Sequence, residues 1–99
     1  MAAWLGLVRC ELYVPGARSL KDKRRAVKSL VDKMHARFRV SVAETGLHDL
    51  HQRAEISIAA VAGSEGDVEH LMDSLRAMAD DLSEALIAHW DSQILQAEA

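Results

Sequence analysis

The sequence predicts an α+β domain: an antiparallel four-stranded sheet with two helices on one face. Three observations lead there. Three stretches alternate apolar and polar residues with period two, with the tail supplying a fourth. Two longer stretches carry apolar residues at helical spacing, and both of these open on the same Ser-x-x-Asp signal. The order is β-α-β, loop, β-α-β, and two such units side by side form the ferredoxin-like split βαβ arrangement (βαββαβ). Right-handed crossovers leave few other topologies.

Each element has its own reason. Trp4 to Val14, WLGLVRCELYV, puts Val8, Cys10 and Leu12 on one face and Arg9, Glu11 and Tyr13 on the other, as a half-buried strand requires. Pro15-Gly16 ends it, because proline cannot donate to the ladder and glycine permits a turn. Ser19 caps the next element, with Asp22 three residues on. Leu20, Val27, Leu30, Val31, Met34 and Phe38 then form one apolar helical stripe. Phe38 to Glu44, FRVSVAE, returns to period two with Val40 and Val42 inward. Thr45 to Gln52 is polar, contains glycine and reads as a loop. Arg53 to Ala62 alternates again, with Ala54, Ile56, Ile58 and Ala60 inward.

Gly63 is the next break, after which Ser64 and Asp67 repeat the start signal. Val68, Leu71, Met72, Leu75, Met78 and Leu82 make the second helical stripe. Ile87 to Leu95 suits a helix through Ile87, Trp90 and Ile94. It also suits an edge strand, through Trp90, Ser92 and Ile94 alternating with His89, Asp91 and Gln93, and the strand is preferred. The face away from the helices would then show Arg9, Glu11, Tyr13, Ser41, Ala43, Glu55, Ser57, Ala59 and Val61. That face is mixed and partly apolar, and a second copy of the protein is expected to cover it as a homodimer.

Composition bounds the function classes. Ninety-nine residues suit one domain spanning 1–99, and 49% hydrophobic with 27% charged residues is ordinary for a folded globular chain. No apolar run approaches the roughly 18–20 residues of a membrane span, and no membrane partner is expected. Met1-Ala2-Ala3-Trp4 lacks the basic start and cleavage site of a signal peptide, so the expected location is the cytoplasm. Cys10 is the only cysteine, which rules out an internal disulfide and a cysteine metal cluster.

Charge is distributed unevenly in a chain whose net charge is only −3. From Arg18 to Arg39 nine basic residues face two acidic ones, about +7. From Gly63 onward nine acids face one base, about −8. Within the first segment, RSLKDKRRAVKSL places Lys21, Arg24, Arg25 and Lys28 on one helical stripe, with Arg18, Lys23 and Arg39 at its rim. Such a stripe suits phosphate backbones, bound without sequence readout and weakened by salt. Like charges at i, i+4 (Lys21/Arg25, Arg24/Lys28) cost a few tenths of a kcal/mol each. The plain alternative is a solvated helix face, or one paired with the acidic second helix or with another subunit.

The motifs VPGARSLKDKRRAVKSL (Val14–Leu30), FRVSVAE and DLHQRA (Asp49–Ala54) give the chain a further handle: over nearly its whole length it resembles the YlxP-like family of small bacterial proteins of unknown function. The resemblance implies a ferredoxin-like single domain. It also implies a role near RNA or the ribosome, because the family's genes often lie beside those for translation initiation and ribosome-maturation factors. The chain departs from the family pattern at His51, where the family tends to carry Trp.

Other candidate chemistry is thin. His48, Asp49 and His51 include two imidazoles and a carboxylate, but no fourth metal ligand is in view. A loop ordered by Asp49, through backbone hydrogens or a pair with Arg53, is the preferred reading. Cys10 points inward and behaves as a small hydrophobe. His35 and His70 belong on helix surfaces. No glycine-rich phosphate cradle and no nucleophile motif is present, so no cofactor, metal or catalytic residue is expected. Sheet-face stacking of RNA bases is a poor fit, since Tyr13 is the lone aromatic of the central strands' open side. The expected function is therefore non-enzymatic RNA or ribosome association through the first helix. The rival is a homo-oligomeric interaction module with charge-paired helices.

Overall fold

A computed structural model describes residues 2–81 and 84–98. The elements run β1 (Ala2–Tyr13), α1 (Leu20–Arg37), β2 (Val40–Gly46), β3 (Arg53–Ala62), α2 (Glu65–Asp80) and β4 (Leu86–Glu98). They form one four-stranded sheet in the order β2-β3-β1-β4, antiparallel throughout. Both helices pack on one side of it, giving the ferredoxin-like α+β arrangement.

Both helix starts follow the signal in the sequence. The Ser19 hydroxyl accepts from the Asp22 backbone N–H at 3.1 Å, and the Ser64 hydroxyl from that of Asp67 at 3.2 Å. The Asp22 carboxylate does not return to the capping residue but accepts from the Arg18 N–H one position earlier, at 3.0 Å. It thereby ties down the chain entering α1.

The core lies between helices and sheet. Val8, Cys10 and Leu12 of β1 and Ala54, Ile56 and Ile58 of β3 meet Val27, Leu30 and Met34 of α1 and Val68, Met72 and Leu75 of α2. Period two in the strands and period 3.6 in the helices put these residues on the facing sides. Val40 and Val42 of β2, and Trp90 and Ile94 of β4, close the flanks. Leu82, assigned to the second helical stripe, lies outside the described residues.

Of the boundaries that differ from the sequence reading, three have a visible cause. Phe38 does not begin β2. It caps the C-terminus of α1, its N–H donating to the Met34 carbonyl at 2.9 Å, because it continues the seam of Leu30 and Met34. The second strand also extends past Glu44 to Gly46. The pairing passes from Glu44↔Ile56 to Gly46↔Glu55, so Thr45 is the extra residue of a bulge. Its hydroxyl is held at 2.7 Å from both Glu55 Oε1 and Ser57 Oγ. The tail is a strand as preferred, and longer, because Ala2 to Leu5 offer β4 a partner out to Glu98. Among the described residues no helix is long and apolar enough to cross a membrane.

Candidate nucleic-acid interface

Helix α1 turns Lys23, Ala26, Val27, Leu30 and Met34 toward the core. The opposite side therefore points to solvent, and Lys21, Arg24, Arg25 and Lys28 are all exposed there, with Arg18 beside them just before the cap. Of these, only Lys28 has an ion-pair partner among the described residues: its Nζ is 2.7 Å from Asp32 Oδ2. Arg18, Lys21, Arg24 and Arg25 have none. These four cluster at the N-terminal end of α1, where the helix dipole adds its own positive potential.

Two of the residues assigned to this surface from sequence do not join it. Arg39 is exposed, but at the start of β2, beyond the far end of an 18-residue helix and so about 27 Å along its axis from the cap. Lys23 is not a rim cation at all. Its side chain is 0% exposed, and its Nζ donates to the carbonyls of Leu47 at 2.8 Å and His48 at 3.2 Å, with Glu44 Oε1 at 3.5 Å. The reason is periodicity: Lys23 sits one turn before Val27 and on the same side as Leu30 and Met34. A buried ammonium persists only where donors and charge are satisfied, and here three oxygens converge on it.

The sequence reading missed this anchor, although a signal for it exists. Glu44 follows Val40 and Val42 at the inward register of β2, and an inward carboxylate calls for a cation. Leu47, with φ of 58°, occupies the left-handed region at the point where the chain turns its carbonyl to Lys23. Gln52 completes the junction. Its Nε2 donates to the carbonyls of Pro15 at 3.4 Å and Ala17 at 3.3 Å, and its own carbonyl accepts from the Val14 N–H at 2.8 Å. The loop from Leu47 to Gln52 is thus bound to the entry of α1 on two sides.

That loop displays His48, Asp49 and His51 to solvent. Among the described residues no three His, Cys, Asp or Glu side chains converge on a metal position. The expected pair of Asp49 with Arg53 does not form. Arg53 instead pairs with Glu11 across β3 and β1, because both side chains project from the open face at adjacent register positions. Cys10 is buried as expected, and burial pushes its thiol from the ordinary 9.0 up to about 12. It is no nucleophile at neutral pH. His35 and His70 are exposed. The acids of α2 approach no cation of α1 closely: among the described residues no ion pair joins the two helices.

Comparison with known proteins agrees with the motifs. Residues 5–92 match the family described as "Protein of unknown function (DUF503)". The chain is 34% identical over 80 residues to "Uncharacterized protein YlxP" of Bacillus subtilis (strain 168), covering 81% of this chain and 87% of that protein.

Proposed function

The chain belongs to the DUF503 family of proteins of unknown function, and for this member we propose non-enzymatic association with RNA or the ribosome through the solvent face of α1. One observation carries the reading. Arg18, Lys21, Arg24 and Arg25 stand together, exposed, and among the described residues none of the four forms an ion pair. Their mutual repulsion, added to the dipole of a helix N-terminus, costs free energy in the isolated chain and is relieved when an anion binds. A row of phosphates supplies that anion at the spacing of a helix face. Lys28, held by Asp32, joins at a lower net gain, and Arg39 lies too far along to share the same contact.

Binding of total RNA and of ribosomal subunits by the wild type and by Lys21→Glu/Arg25→Glu/Lys28→Glu, at about 50 and 200 mM salt, tests this. Four phosphate contacts to single-stranded RNA predict a slope of about −3 in log affinity against log salt, roughly a 50-fold loss over that range. The triple variant should not bind at either concentration while keeping the wild-type circular dichroism. If the wild type fails to bind at the lower salt, the RNA reading is wrong. The positive face then belongs to an acidic protein partner, beginning with the α2 helix of a second copy.

A further inference from the structure

The open side of the sheet carries an arrangement that does not depend on α1. Register places Val61 of β3 opposite Leu5 of β1, and Leu5 opposite Leu95 of β4. These three form an apolar row across the strands, with Leu7 next along β1. Leu7 is 44% exposed, Val61 62% and Leu95 47%, large values for apolar side chains on one continuous patch. Beside Leu7 the surface falls away. Ser41 and Ala43 of β2 lie opposite Ala59 and Ser57 of β3, and these small side chains leave a shallow hollow of about 190 Å³. The face thus carries an apolar row that crosses β3, β1 and β4 at one end, and beside Leu7 a hollow between β3 and β2.

We infer that this face is a homodimer interface, occupied by a second copy of the same chain with the sheets face to face. A twofold axis lying between the sheets, parallel to the strands and midway between β3 and β1, inverts the order of the strands but keeps their levels. It lays Leu7 of each copy over the hollow of the other, against Ala59 and Ser57, and sets Leu5 of each against Val61 of the other. That self-complementarity is what a twofold contact demands of one surface.

Charge permits the contact too. Arg9 and Arg53 on this face are paired within the chain, with Asp91 and Glu11, so these two cations add little repulsion between two identical faces. The size fits as well. Four strands spaced about 4.8 Å apart and averaging about ten residues at about 3.3 Å each present roughly 600 Å², close to the about 800 Å² that each partner contributes to a stable interface.

Sedimentation equilibrium over low to high micromolar concentration tests the inference on the full chain, without RNA. The wild type should rise from 10.9 kDa to twice that mass. Leu7→Arg should stay at 10.9 kDa with unchanged circular dichroism. Val61→Glu serves as the second variant if Leu7→Arg misfolds, since Val61 is the more exposed of the two. Leu50→Arg, at an exposed apolar residue of the β2–β3 loop, should still dimerise. A wild type that remains monomeric at high concentration overturns the inference. So does a dimer that survives the substitution at Leu7 or Val61, or one that Leu50→Arg abolishes.

Discussion

Lys21 and Lys23 are two residues apart and have opposite environments. The side chain of Lys23 is fully buried, and its ammonium ends on Glu44 and the carbonyls of Leu47 and His48. Lys23→Met keeps the apolar volume but leaves an inward carboxylate without its cation and two carbonyls without a donor. It should destabilise the protein by about 2–4 kcal/mol, seen as a fall in thermal midpoint of ten degrees or more. Lys21→Met, on the exposed side, should stay within about 0.5 kcal/mol of wild type. Equal midpoints for the two variants would show that Lys23 is not held as described. Cys10 gives a second test at this scale. Its folded value of about 12 lies above the ordinary 9.0, so as pH rises the unfolded chain releases the thiol proton first. The thiol's contribution is therefore complete below pH 9 and is lost between 9 and about 12. Urea unfolding across that range should show the wild type losing stability more steeply than Cys10→Ala, whereas parallel curves would contradict the assignment.

Among the elements, the seat of α2 on β1 depends on Gly6. A Cβ built there would lie 2.4 Å from Met72 Sδ and 3.0 Å from Val68 Cγ1, so the helix rests directly on strand backbone. Gly6→Ala should cost about 1–3 kcal/mol by overpacking, measurable as a lower urea midpoint with an unchanged slope. A midpoint equal to wild type would mean that Met72 swings clear at no cost. The elements themselves were largely legible in the chain. Both serine caps, the alternation of β3 from Arg53 to Ala62 and the strand nature of the tail follow from residues a few positions apart. The boundary at Phe38 was not, because its side chain suits both a helical seam and a strand. Packing against the core decided between them.

Across the whole molecule, the sheet separates two surfaces of different character. On the helix side, α1 presents unbalanced positive charge near its N-terminus. On the other, Arg9 and Arg53 are paired and an apolar row stands beside a hollow. Face-to-face sheets would leave both α1 helices on the outside of a dimer, so the charge reversals on α1 and the substitution at Leu7 report on different surfaces. A positive helix face is compatible with a net charge of −3 because the excess acids sit mainly on α2 and the segment after it. Long-range attraction to polyanions depends on that local distribution more than on the total.

The sequence by itself determined the βαββαβ order, the inward-facing residues of the strands, the caps and the exposed row of Lys21, Arg24, Arg25 and Lys28. All of these arise from periodicities that repeat within a turn or a pleat. Tertiary structure alone decided which oxygens receive the buried Lys23, since they come from residues 24 and 25 positions away and from Glu44. It alone decided that Arg53 chooses Glu11 over Asp49, and that Leu5, Leu7, Val61 and Leu95 form one patch, since register between strands distant in sequence sets both. Local pattern tells a side chain which way to face; the chain's long-range pairing tells it whom it meets there.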